Sequence, residues 1–179
     1  MNNSIRLLQE YRDKCFVYNI LCEKSSEFYS QLKSIVSIPL ILSSSIMTIL
    51  NSGTFDAESM KIPNICINAI TALLISLINN FKLAEKAGSF RNLSLKYMQL
   101  LHHIEDKLNS EGESIDAQDF RDIIKSYDDL QSQNEYLIPN HIKKKVRKVY
   151  LGHKYLPNIL NCQTDFVKLQ ETKVEQVSL

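Results

Sequence analysis

The pattern of polar and apolar positions changes character several times along the chain. In residues 3 to 33, Leu8, Tyr11, Cys15, Tyr18, Cys22, Ser25, Tyr29 and Leu32 follow steps of three and four. That is the heptad spacing of a helix that packs against other helices. Phe16, Ile20 and Phe28 widen the stripe, while Glu10, Asp13, Lys14, Glu23, Lys24 and Glu27 occupy the other side. Charge then disappears. No Asp, Glu, Lys or Arg lies between Lys33 and Asp56, and none between Lys61 and Lys82. Each uncharged run is about 20 residues, and a helix of that length spans roughly 30 Å of hydrocarbon. The short turn between the runs, near Gly53 to Met60, is the only polar interruption. The segment 34–81 therefore reads as a transmembrane helical hairpin, with everything before and after it on one side of the bilayer.

A soluble bundle can also bury two apolar helices, and these are only moderately greasy. The first run carries Ser34, Ser37, Pro39, Ser43, Ser44, Ser45 and Thr48; the second carries Asn64, Asn68, Thr71, Ser76, Asn79 and Asn80. A helix with one face in water, however, places Lys or Glu on that face, and neither run has one. The polar residues also recur at helical steps. Ser34, Ser37, Ile41, Ser44 and Thr48 share one face of the first helix, and Asn64, Asn68, Thr71, Ile75 and Asn79 one face of the second. Two uses of such stripes stand: they join helices within or between hairpins, or they line an aqueous path. The small hydroxyl residues favour the first. For the second use, Ser37, Ser44 and Thr48 and Asn64, Asn68, Thr71 and Asn79 are the candidate lining residues.

The helical period resumes beyond the hairpin. Phe90, Leu93, Tyr97, Leu100 or Leu101, Ile104 and Leu108 form a stripe decorated by Lys82, Glu85, Lys86, Arg91, Lys96, Glu105 and Lys107, with a bend expected at Gly88 and a loop after Asn109. Asp116 and Asp119 form a capping pair for a helix to about Gln133, with Phe120, Ile123, Ile124, Tyr127 and Leu130 inward. A kink is expected in the first helix at Pro39, whose ring removes a backbone donor. Asn140 is the expected N-cap of a last, basic helix. That helix carries Lys143, Lys144, Lys145, Arg147 and Lys148, with Ile142, Val146 and Val149 on the other side. The chain thus divides into an amphipathic arm (1–33), the hairpin (34–81), helices on the aqueous side (82–139), and the basic helix and tail (140–179). The expected fold is all-α: a transmembrane helical hairpin whose long helical arms extend into a cytoplasmic helical bundle. The seam from Leu8 to Leu32 is the expected oligomer contact.

Composition narrows the chemistry. The 179 residues include only four Gly and no Trp, and Gly at 53, 88, 112 and 152 cannot form a GxxxxGK or GxGxxG phosphate loop. A net charge of +1 gives no bulk field for nucleic acid, and no specific nucleic-acid partner is expected. The cationic helix is the exception: it fits anionic lipid headgroups, at about 1 kcal/mol per Lys or Arg near the surface, or a phosphate-rich ligand, or simply solvent. No short cleavable stretch precedes the first apolar run, so no signal peptide is expected. Cys15, Cys22, Cys66 and Cys162 show no CxxC and no metal spacing. Cys15 and Cys22 are seven apart on one helix, about 10.5 Å along its axis, too far for a disulfide. His102 and His103 are adjacent and point about 100° apart on a helix, a poor pair for one metal. Glu85 suits an ion pair with Lys82 or Lys86 better than acid catalysis. Neither a cofactor nor a metal is expected, and the protein does not read as an enzyme. Lys24, Lys33, Lys82, Lys86, Arg91 and Lys96 flank the hairpin, against Lys61 alone in the turn. That asymmetry places both arms in the cytoplasm, or on the equivalent face of a virion membrane.

The run YSQLKSIVSIPLILSSSIMTIL from Tyr29, the stretch NNFKLAEKAGSFRNLSLKYMQLLHHIEDKL from Asn79 and the segment SYDDLQSQNEYLIP from Ser126 resemble the SLATT-type family. These are proteins with two membrane helices found in bacterial defence islands and, in divergent form, in giant viruses. The SIP-[LI]-ILSS start of the first helix is similar to the viral branch. Phe81, Ala84, Glu85 and Lys86, followed by an aromatic-and-Leu helix, are shared more widely, as is a Tyr-containing helix ending in Ile-Pro, here Tyr127 to Pro139. The resemblance covers about residues 8 to 140 and rests on loose apolar and small-residue patterns; the basic helix and tail lie outside it. It implies an antiviral pore-forming effector of the bacterial inner membrane, triggered by a nucleotide signal or a sensor partner. For the viral branch it implies membrane remodelling or a structural role in a virion membrane. This chain carries no sensor domain, so the implied trigger is a separate protein or the basic helix. A structural membrane protein without conductance and a soluble helical adaptor are the competing readings.

Overall fold

The computed structural model describes residues 3–52, 57–109, 117–150 and 160. Every element among them is helical: α1 (Asn3–Ser52), α2 (Ala57–Phe81), α3 (Leu83–Asn109), α4 (Ala117–Ser132) and α5 (Asn140–Tyr150). The expected capping residue Asp116, the turn from Gly53 and most of the tail lie outside the described residues. The chain divides into two compact units, one made of Met1–Ser25 with Phe90–Leu179, the other of Ser26–Ser89. The second unit contains the 34–81 segment and extends past it at both ends.

In the first unit α1 and α3 run antiparallel, since Tyr18 stacks on Tyr97 at 5.2 Å while Asn19 accepts a hydrogen bond from Ser94. Their apolar stripes meet. Leu8, Cys15, Leu21 and Cys22 of α1 are buried, as are Phe90, Leu93, Tyr97 and Ile104 of α3. From α4, Ile123, Tyr127 and Leu130 close the core. Tyr127 presents its edge to Tyr11 at 5.3 Å and to Tyr18 at 6.1 Å. Edge-on pairs of this kind add about 0.5–1.5 kcal/mol beyond the area they bury. The Lys107–Asp119 ion pair at 2.6 Å and a bond from Lys96 to the Gln133 side chain tie α3 to the α4 end of the unit.

The local reasons for the helix ends differ in part from those expected. As expected, α1 runs on through Pro39, which lies inside it. The break after the second apolar run falls at Lys82, not Gly88: Lys82 has a φ of 49°. Its N–H donates to Asn79 O in a tight closing turn, and its carbonyl accepts from the Lys86 N–H, opening α3. Gly88 sits within α3 with open space around it. At α5 the opening acceptor is the Pro139 carbonyl, which takes bonds from the Ile142 and Lys143 N–H groups. Asn140 is thus the first helical residue and not the cap. Ile142 and Val146 are buried as expected, but Val149 is 70% exposed.

Candidate membrane hairpin

In the second unit three contacts fix how the chain doubles back. Ser26 donates to the Ala87 carbonyl at 2.8 Å, the Lys86 ammonium lies 5.6 Å from the Tyr29 ring centre, and the Ser43 and Thr71 hydroxyls are 3.1 Å apart. The residue numbers rise on one side and fall on the other, so the pairing is antiparallel. The half-buried positions confirm the facing sides. On α1 they are Val36, with Ser37 beside it, Leu40, Ser43, Met47 and Leu50; on α2 they are Asn64, Ile67, Thr71, Leu74 and Ile78. Both sets alternate by three and four, the spacing of a left-handed helix pair. Ser43, absent from the stripe read in the sequence, is the residue of α1 that meets α2.

The outward faces carry exposed isoleucines and leucines. Ile41 is 66% exposed, Ile49 68% and Ile62 74%, and Ile38, Leu42, Ile65 and Leu73 are also exposed. Within the chain, neither helix buries any of its most apolar 18-residue window, and both are long and apolar enough to cross a membrane. The pair thus carries apolar side chains on both its inner and its outer faces, with one hydroxyl contact within.

The polar stripes are split by this geometry. Ser37, Asn64 and Thr71 are half-buried toward the pair, whereas Ser44, Thr48, Asn68 and Asn79 are exposed. The exposed hydroxyls of α1 bend back onto their own helix, Ser34 to the Ser30 carbonyl, Ser45 to that of Ile41 and Thr48 to that of Ser44. On α2 the Asn80 amide donates to Ser76 Oγ. Asn64 Oδ1 is enclosed without a hydrogen-bond partner.

The heptad residues proposed for oligomer contact fall in two environments. Leu8, Cys15, Tyr18 and Cys22 are buried and Tyr11 half-buried, all within the first unit. This part of the seam is the monomer's own core and offers no surface to a second copy. Tyr29 and Leu32 are half-buried in the second unit. Burial pushes the Cys15 and Cys22 thiols up to about 12, so both remain protonated and unreactive. Of the basic residues, Lys144, Lys145 and Lys148 form the outward face of α5, and Lys143 and Arg147 flank it half-buried. His102 and His103 are both exposed, and Glu85 pairs with Lys82 at 3.3 Å. A cleft of about 200 Å³ in the first unit is lined by Arg12, Asp13, Phe16, Val17, Leu101, Glu105 and Tyr150. Its arginine is already paired with Asp13 at 2.8 Å.

Sequence reasoning missed Val17, Asn19 and Leu21, all buried on α1. Their signal was present: with Cys22 and Leu8 they show that α1 is covered on more than one side. Comparison with family models, with curated proteins and with solved structures found no match.

Proposed function

We propose that the protein is a non-enzymatic, oligomeric integral membrane protein whose 34–81 segment crosses the bilayer as a hairpin, and whose assembled hairpins open a channel or lesion. The observation that carries this reading is the apolar outer face of an uncharged hairpin, with Ile41, Ile49 and Ile62 exposed and neither apolar window buried within the chain. In water each exposed isoleucine forgoes about 25 cal/mol per Å² of apolar surface left unburied. Hydrocarbon removes that cost, and two uncharged helices of this length match its thickness. The Lys and Arg count supports an orientation with both arms on the cytoplasmic side of a bacterial inner membrane or the corresponding face of a virion membrane. The resemblance to SLATT-type proteins supports the step from insertion to a pore, with a separate sensor or signalling protein as trigger.

A second reading is a structural membrane protein without conductance. It is favoured by the Ser43–Thr71 bond, in which two hydroxyls of the inner face satisfy each other. Two measurements separate the readings. Resistance to alkaline carbonate extraction is expected of both, and release into the aqueous phase would leave only a soluble adaptor. Ion flux from liposomes loaded with the purified protein is expected for the pore; a correctly inserted, assembled protein that passes no ions would leave the structural role.

A further inference from the structure

Hydrocarbon offers no hydrogen bonds, so every polar side chain on the outer face of the hairpin must find a partner in protein. The hydroxyls of Ser34, Ser45 and Thr48 solve this alone by donating to carbonyls of their own helix. A carboxamide on α2 cannot satisfy both its donors and its acceptor that way. Asn68, near the middle of α2, and Asn79, three turns on, are exposed and make no side-chain hydrogen bond. They lie on one face, since eleven residues bring a helix back to within about 20° of its starting direction. Between them stand Ala72 and Ser76, both exposed and both small enough for a second helix backbone to approach, with the exposed Ile75 alongside on the same face. With the Leu8–Cys22 seam occupied inside the monomer, this outward face of α2 combines unmet hydrogen bonds with small residues among the described residues.

We infer that α2 packs against α2 of a second copy of this chain along Asn68, Ala72, Ser76 and Asn79, with Asn68 facing Asn68 across a two-fold axis along the membrane normal. A second copy is the occupant because a carboxamide carries both donor and acceptor and is complementary to itself. Copies inserted with the same topology present α2 in parallel, which brings like residues together. The inference rests on the membrane reading above and assigns the contact by which the hairpins assemble.

The test uses the full chain in phosphatidylcholine liposomes. With Cys66 and Cys162 replaced by serine, Ala72→Cys is expected to give a disulfide-linked dimer on mild oxidation. With Cys162 alone replaced, the native Cys66, which is exposed and about 120° around α2 from Ala72, is expected to stay monomeric. Asn68→Leu is expected to weaken association, read by energy transfer between labelled copies under lipid dilution, by about tenfold. Ala72→Leu, which blocks close approach, is expected to weaken it as well. A membrane-embedded Ala72→Cys chain that gives no dimer, or an Asn68→Leu chain that associates as tightly as the parent, overturns the contact and leaves the membrane reading standing. A chain that carbonate releases from the liposomes overturns both.

Discussion

Ser43 and Thr71 meet hydroxyl to hydroxyl at 3.1 Å in the middle of two otherwise apolar helices, and Ser43 also donates to the Leu40 carbonyl at 2.9 Å. One hydroxyl thus serves its own helix and its neighbour. Replacing Thr71 by Val keeps the shape and removes the cross-helix bond. The hairpin is expected to lose about 0.6–2 kcal/mol, read by reversible unfolding in detergent. A double-mutant cycle with Ser43→Ala isolates the pair; a coupling energy of zero would show the contact to be incidental.

Tyr18 is buried between Tyr97 and Tyr127. Replacing it with Asp places a carboxylate in an apolar core, at a cost of several kcal/mol. The effect expected is loss of cooperative unfolding in the first unit, seen in circular dichroism melts, and not a change of oligomer size alone. Leu32→Asp, at a half-buried position of the second unit, is expected to be milder. Equal stability of the Tyr18→Asp chain and its parent would contradict the assigned core.

Stability in alkali follows from the buried thiols. Cys15 and Cys22 titrate near 9 when unfolded and are pushed up to about 12 by burial. Burial also raises Tyr97 and Tyr127. Above pH 9 the unfolded chain releases protons that the folded chain keeps, so stability falls as pH rises. The contribution is complete below pH 9 and is lost through about 12, at up to about 1.4 kcal/mol per pH unit for each thiol. Denaturant midpoints measured between pH 8 and 11 should decline, and Cys15→Ala/Cys22→Ala should flatten the decline. An unchanged slope in that variant would place the titration elsewhere.

Lys82 holds a left-handed backbone at φ 49° without being glycine. Such a residue carries strain of about 1 kcal/mol. Lys82→Gly relieves it but loosens the unfolded chain and deletes the Glu85 ion pair, an exposed contact worth little. A net gain of about 0.5 kcal/mol is expected. Lys82→Pro, whose ring forbids positive φ, is expected to destabilise the chain. Thermal melts of both decide it.

What was legible in the sequence was what periodicity alone determines. The stripes of α3 and α4 emerged because charged residues mark their outer faces, as with Arg91 beside Phe90 or Lys125 beside Tyr127. In the hairpin no charge marks the outside. Serines and asparagines suggested a face, and on α1 that face holds Ser37, half-buried toward α2, with the exposed Ser44 and Thr48, and omits Ser43. Which side meets the neighbour there depends on register, and register is set by a contact between distant residues. Pro39 and Gly88 both lie inside helices long enough to carry them, while the break between α2 and α3 falls on a lysine that no propensity scale marks.

The left-handed residue at 82 also resets the rotational phase of the chain inside the second unit. Continued without interruption, the inner series of α2 through Leu74 and Ile78 would next fall on Phe81, Glu85 and Gly88, all of which are exposed. Instead Leu83 is buried, and Lys86 and Ala87 are half-buried against Tyr29 and Ser26 of α1. One backbone dihedral thus works as a clutch that lets two successive helices each turn a face to the same neighbour. A chain lacking residue 82 would turn Lys86 and Ala87 away from those partners.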